Sequence, residues 1–563
     1  MSNYDLVSLK LPVLSGKPLA VFASVLALAA GRALLLPSLL KQGGIPKLRL
    51  LRLDRDPLLY PTAPVETRAT APLASAEIER IFAGAPSARS PWPTARDYRE
   101  AYRSGAILPL DVAKAFLAAL EASEKASPPL RAFIAVDRED LLAQAAASTE
   151  RWKTGKPLGP LDGVPVAIKD EVHLAPYPSF AGTTFIGSGP EADSTVAARL
   201  RAAGALLLGK TNMNEIGLDP SGYNAHYGPA RNPWAPDRDP GGSSSGSAAA
   251  TAAGLCPVSI GCDGGGSIRV PAALCGLVGL KPSFGRVSEV GAVALCPSVD
   301  AIGPIGATVD DVALAYAVIA GPDPRDPRSL GQPPVTLDNW NNTDLSGLRL
   351  AYYPEWFRHA KADIVAACEK ALAAFRGLGA SLVEIEIPGL DSMRIAHAVT
   401  IIAEMEAHLQ DRREHLGELG PATRVTRAIA LGLSSTDYIQ AQRVRALAVA
   451  AFDSVFAGAD AILTPTSAIT APLIPPGSET TGWSDLGATT EKMRFVFAAN
   501  LTGHPAISFP AGFDGLGLPI GMQAMGPYWS EATLLRLAKA AEGFAEKRVP
   551  KLRWDLLAKP QAG

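Results

Sequence analysis

At 563 residues, 47% of them hydrophobic and 19% charged, the chain has the composition of a folded globular protein rather than a disordered one. Lys+Arg 53 against Asp+Glu 55 leaves a formal net charge of −2, without the basic excess that a nucleic-acid partner requires. The five cysteines (Cys256, Cys262, Cys275, Cys296 and Cys368) form no CxxC pair, which argues against a zinc knuckle or a disulfide framework and points to a reducing compartment.

The first predicted element is apolar. Residues 11–40 read LPVLSGKPLAVFASVLALAAGRALLLPSLL. Lys17 and Arg32 bracket a charge-free run of about 14 residues, short of the roughly 20 needed to span a bilayer. Lys10 and Lys17 ahead of that run also fit a secretory signal. Beyond Arg32, however, the apolar character resumes, and Lys47, Arg49, Arg52 and Arg55 follow. That pattern reads as a helix lying at a membrane interface. A core-packing helix or an oligomer contact is the competing reading. Residues 1–95 thus form an expected N-terminal helical arm, its 41–95 portion rich in Pro, Arg and Leu. A cytoplasmic or peripheral-membrane location follows from these features.

Residues 96–555 read as one catalytic domain. Apolar residues recur at helical spacing between 95 and 152, as in DVAKAFLAALEAS. From 160 to 320, short apolar strands alternate with turns and helices: GVPVAIK, then the helix DSTVAARLRAAG, then ALLLGK. Residues 321–345 are polar and proline-rich, a predicted loop. LRLAYY, a helix over 363–378 and SLVEIEI repeat the α/β rhythm, and a helical stretch runs on to 451. AILTPT and PAISFPAGF read as buried strands. The predicted fold class is α/β, with a large β-sheet core flanked by helices.

Chemistry concentrates in residues 240–286, PGGSSSGSAAATAAGLCPVSIGCDGGGSIRVPAALCGLVGLKPSFGR. Glycines there let the backbone approach a ligand closely. Two serine groups, 243–245 and Ser267, sit in such turns, and upstream Lys169 ends the strand GVPVAIK. Each piece has a plainer reading. GGSSSGS by composition is a linker, although it runs straight into a helix pattern. DGGGSIR lacks the P-loop lysine. Lys169 alone reads as a residue salt-bridged to Asp170 or Glu171.

In this order, VPVAIKDE, PGGSSSGSAAA and GCDGGGSIRVPAALCGLVGLKPSFGR resemble the amidase signature family. GKTNMNEIG, RNPW, DAIGPI, LTPT and NLTGHPAISFPAGFDGLGLPIGMQ extend the resemblance over most of the chain. Within the family, the chain is most similar to the plant-type fatty acid amide hydrolases. One departure is Cys262 in GCDGGG, where a threonine is usual.

The resemblance implies an amidase-signature fold built on a large mixed, twisted sheet, with a Ser-cisSer-Lys triad. Ser267 would be the nucleophile, Ser243 the bridging proton relay after a cis peptide, and Lys169 the base. Gly264, Gly265, Gly266 and Ser267 would supply the oxyanion hole, and Gly217 and Ser243 would touch substrate. Asp263, Arg269 and Ser244 would brace the loops. A serine hydroxyl must lose its proton as it attacks, and lysine accepts that proton only when neutral. Its reference pKa is about 10.4, which burial lowers.

The seven histidines (His173, His226, His359, His397, His408, His415 and His504) supply no nucleophile-elbow context, so a Ser-His-Asp mechanism is the runner-up. No HExxH or Cys/His ligand set is present, and neither metal nor cofactor is expected. The substrate expected from the resemblance is an amphiphilic fatty acid amide such as an N-acylethanolamine, with esters cleaved alongside. Aryl or short-chain amides, esters and carbamates are the alternative. LAPYPSF, VTIIAEM and FVFAANL are candidate acyl-channel walls. A glutaminase subunit of an amidotransferase and a catalytically silent scaffold are more distant readings. By analogy, a homodimer is expected.

Overall fold

The apolar runs read from the sequence become strands because every residue in them is covered. PVAIK, LLLGKT and VSIGC are buried along their whole length, the pattern of strands packed on both faces. The computed structural model describes residues 4–9, 12–63, 65, 67–83, 90–187, 192–293 and 295–558. Lys10 and Leu11, part of the signal-like and apolar readings, lie outside these.

In chain order the strands are β1 (Leu14–Ser15), β2 (Phe133–Ala135), β3 (Pro165–Lys169), β4 (Leu206–Thr211), β5 (Val258–Cys262), β6 (Val278–Lys281), β7 (Ile302–Gly306), β8 (Arg349–Tyr352), β9 (Ser381–Glu384), β10 (Ala461–Pro465), β11 (Trp483–Ser484), β12 (Ala506–Phe513) and β13 (Pro519–Met525). Eleven of them form one sheet in the order β2-β4-β3-β5-β7-β6-β12-β13-β10-β8-β9. The sheet is mixed. β4, β3 and β5 run parallel, the stretch from β5 through β13 to β10 is antiparallel, and β10, β8 and β9 are parallel again. Helices flank it, giving an α/β fold.

The parallel pairing of β3 with β5 sets Val166 beside Val258 and Ile168 beside Ile260. Lys169 therefore leaves the sheet at the same edge as Cys262 and the glycine loop that follows it. Carboxyl ends of neighbouring parallel strands are where α/β sheets place ligands. Two short helices, Ser245–Ala252 and Arg269–Cys275, are buried on every side. Their small residues make this possible: a Cβ on Gly246 would stand 2.2 Å from the carbonyl oxygen of Ala132.

Helices occupy the apolar segment of the first 50 residues. α1 (Gly16–Ala27) and α2 (Ala29–Gln42) meet at a bend of 109°, and α3 (Ile45–Leu50) follows. Arg32 spans the bend: its guanidinium donates to the carbonyls of Leu26 and Ala27, at 3.2 and 2.8 Å, and so caps the end of α1. One face of α1, with Leu19, Ala23 and Leu26, packs on Val425 and Ala428 of helix Pro421–Ala430. The other face leaves Val21 63% and Leu28 64% exposed, and Leu34 on α2 is 79% exposed. Among the described residues no single helix is long and apolar enough to cross a membrane. α3 is tied down by Arg49, whose guanidinium holds Asp437 through two hydrogen bonds of 2.8 Å. β1 pairs antiparallel with β11, a contact the sequence does not announce.

Leu19 is fully buried, so Leu19→Ala is expected to cost about 2–5 kcal/mol of packing. Limited proteolysis at the Leu28 bend should accelerate, while hydrolysis of a small soluble ester by the same preparation is retained.

Candidate active site

β3 ends at Lys169, and a turn closed by the Val172 N–H on the Lys169 carbonyl, 3.0 Å, folds the next side chains back. Asp170 and Glu171 then part company. Asp170 accepts from the Gly182 N–H at 2.8 Å and faces Lys210 at 3.8 Å, whereas Glu171 stays with Lys169. Lys169 is 1% exposed, and its Nζ lies 2.8 Å from Ser243 Oγ, 3.2 Å from the Cys262 carbonyl and 3.2 Å from Glu171 Oε2. Of the two carboxyl groups weighed from the sequence as partners, Lys169 thus meets Glu171, and the lysine also reaches Ser243, 74 positions away. The Gly242–Ser243 peptide is cis.

Ser267 lines the same cavity as Lys169, Ser243 and Gly217. Of the two hydrogen bonds a Ser-Ser-Lys relay uses, the structure holds the one between Ser243 and Lys169. Such contacts at the nucleophile commonly tighten when substrate binds. Ser244 supports both sides: its N–H donates to the Ser267 carbonyl at 3.2 Å and its hydroxyl to the Cys262 carbonyl at 3.3 Å. Gly217 borders the same space with a φ of +67°, the left-handed region that favours glycine, and a Cβ there would rest in van der Waals contact with Ser243 Oγ at 3.4 Å and Glu171 Oε2 at 3.5 Å.

The loop from Asp263 to Ser267 is shaped by one carboxylate. Asp263 accepts from the N–H of Gly266 at 2.6 Å and of Ile268 at 3.1 Å, and Arg269 grips both its oxygens at 3.0 Å. Arg269 also donates to Gln523 Oε1 at 2.6 Å, to the Val496 carbonyl at 3.0 Å and to Asn500. Asn500 in turn donates to Asp263 Oδ1 at 2.9 Å. Burial alone would raise Asp263, but the charge and hydrogen bonds of Arg269 outweigh it and hold the carboxyl well below its usual range.

The Gly266 N–H, expected from the family resemblance to be an oxyanion donor, is thus committed to Asp263. Among the described residues the N–H groups of Gly264, Gly265 and Ser267 donate to no protein acceptor, and these three residues line the cavity while Gly266 does not. Of the four N–H groups named from the resemblance, Gly266 alone is spent on a protein acceptor among the described residues. Gly266 serves the turn instead: its φ is +111°, and a Cβ would collide with Val496 at 2.4 Å.

Other site residues carry no signal in the sequence. His397, on helix Leu390–Leu409, donates Nε2–H to the Gly264 carbonyl at 2.8 Å, and burial pushes it down to about 4, so it stays neutral. Among the described residues no histidine lines the cavity, which leaves the Ser-His-Asp reading without a base. Burial and the charge of Glu171 push the nearby Asp300 carboxyl up. Of the expected channel walls, VTIIAEM contributes Ile401, while Val496 of FVFAANL packs beneath Gly266; Leu174 and Tyr177 of LAPYPSF are ordinary core. The remaining apolar wall includes Leu295 and Met493.

The amidase family profile matches residues 114–535. The chain belongs to the amidase signature family. It is 41% identical over 473 residues to the fatty acid amide hydrolase of Arabidopsis thaliana, a match that covers 82% of this amidase and 78% of the relative. It is 38% identical over 475 residues to a glutamyl-tRNA(Gln) amidotransferase subunit of Chloroflexus aurantiacus, covering 79% of this chain and 95% of that one. A solved structure described as a vestigial protein complex bearing on the origins of an s-triazine catabolic enzyme superposes with TM-score 0.74 at 32% identity, over 82% of this amidase and all of that chain. The protein is an amide-hydrolysing enzyme of this family.

Arg269→Met would leave Asp263 buried without its partner, at a cost of about 3–5 kcal/mol. Because Asp263 is depressed in the folded state, its contribution is full above the unfolded value of about 3.9 and fades as pH falls below it. Urea midpoints of wild type and variant should therefore differ most above about pH 4 and converge below it.

Proposed function

We propose that this amidase cleaves fatty acid amides such as N-acylethanolamines through an acyl-enzyme on Ser267. The observation that carries the mechanism is the 2.8 Å contact between Lys169 Nζ and Ser243 Oγ, buried beside Ser267. Ser267 Oγ attacks the carbonyl carbon as its proton moves to Ser243, whose own proton passes to Lys169. The carbonyl oxygen takes up negative charge against the N–H groups of Gly264, Gly265 and Ser267, where one such donor is worth roughly 3 kcal/mol. The C–N bond then breaks as Lys169 returns the proton through Ser243 to the departing nitrogen. Water repeats the sequence on the ester.

The fatty acid reading is supported by the name of the Arabidopsis relative and by the apolar wall formed by Leu295, Ile401 and Met493. The exposed face of α1 and α2 fits peripheral contact with a membrane, from which an amphiphile would reach the site. A homodimer using the same arm is part of this reading. The narrowness of the cavity beside the serines favours, as the second reading, an amidase for aryl or short-chain amides. The Chloroflexus relative keeps a glutaminase role in view, and hydrolysis by the chain alone, with no stimulating partner, would set it aside.

The decisive measurement is kcat/KM across N-acylethanolamines of increasing acyl length, with Ser267→Ala as the blank. A steep rise with length is expected, and a flat or falling series would remove the lipid assignment. Lys169→Ala should slow an amide more than its matched ester, because the amine must be protonated to depart; equal losses would refute that division of labour.

A further inference from the structure

We propose that Glu171 is a positioning residue that aims the lone pair of Lys169 at Ser243. The inference rests on the triad reading above and concerns the one side chain beside Lys169 Nζ to which that reading gives no role.

Lys169 Nζ has three oxygen neighbours: Ser243 Oγ at 2.8 Å, the Cys262 carbonyl at 3.2 Å and Glu171 Oε2 at 3.2 Å. A base must be neutral, and a neutral amine has two N–H bonds and one lone pair. The Cys262 carbonyl is an acceptor only and Glu171 turns Oε2 to the amine as an acceptor, whereas Ser243 carries a hydroxyl that can donate. With the two N–H bonds spent on these two acceptors, the lone pair falls on Ser243, the direction the relay requires. Without Glu171, the amine can turn an N–H toward Ser243 and its lone pair elsewhere, and that orientation cannot accept the proton.

The surroundings hold Glu171 to this task. Its carbonyl accepts from the Val293 N–H at 2.8 Å, fixing the backbone, and the side chain is 7% exposed. Gly217 borders the space that its carboxylate shares with Ser243. Asp170, one residue earlier, is engaged by Gly182 and Lys210 and does not compete for Lys169. When Lys169 has taken the proton and become an ammonium, the same three oxygens accept its three N–H bonds, so accepting and returning the proton needs no rearrangement of the pocket.

The test is a double-mutant cycle on the full-length protein, using one soluble anilide and reading kcat and KM for wild type, Glu171→Gln, Glu171→Leu, Lys169→Ala and Lys169→Ala/Glu171→Leu. Glu171→Leu should lower kcat by about 30- to 100-fold, within the range of a general-base contribution, with KM within about twofold. Glu171→Gln, which keeps an acceptor oxygen and the same shape, should recover at least about tenfold of that loss. On the Lys169→Ala background, Glu171→Leu should change kcat by less than about twofold, because a residue acting through Lys169 has nothing left to act on. A loss on that background as large as in wild type would overturn the proposal, as would failure of Glu171→Gln to recover activity. Failure of the triad reading is separately visible: a fluorophosphonate would then leave Ser267 unlabelled in the wild-type enzyme.

Discussion

The buried carboxylate of Asp263 is the constraint from which the active-site loop takes its shape. It sits just past the end of β5, accepts the N–H groups of Gly266 and Ile268, and is neutralised by Arg269 from the helix that the loop leads into. A buried charge of this kind is costly unless paired and hydrogen-bonded on all sides. Here Arg269, Asn500 and the loop backbone together do so. Because Arg269 also reaches Gln523 and the Val496 carbonyl, the loop is registered against β13 and the segment before helix Phe497–Thr502. The positions of Gly264, Gly265 and Ser267 follow from that registration.

The fold could be read from the sequence where burial writes itself into composition. PVAIK, LLLGKT, AILTP and AISFPAGF are apolar runs of strand length, and they are strands. VGLK and IGPIG, which become β6 and β7, contain glycine or proline and carry little local strand signal, so their place in the sheet is decided by neighbours rather than propensity. The two-residue pairing of β1 with β11 is a tertiary contact with no sequence signature.

The same division runs through the site. Lys169, Ser243 and Ser267 were legible through the resemblance of the motifs that carry them to the amidase signature family, since each taken alone has a plainer reading. The hydrogen bonding around them was not. Only the folded structure reveals that Gly266 spends its N–H on Asp263. Asn500, Gln523 and His397 reach the loop from distant elements, and no spacing rule relates them to it. Glu171 left a faint trace, two residues beyond Lys169, but the choice between it and Asp170 depended on the turn after β3.

Among the described residues, the cavity wall carries the carboxyl groups of Glu171, Asp219 and Asp300 beside one basic side chain, the amine of Lys169. An amide entering this space is neutral and meets no net field, but hydrolysis turns its acyl half into a carboxylate. The newly made anion then shares a confined, weakly screened volume with the acidic side chains of that wall. The acidic wall therefore suits the neutral amide better than the acid made from it. Rebinding of the acid, which would otherwise compete with each fresh amide, is disfavoured by the acidic side chains that surround the catalytic lysine.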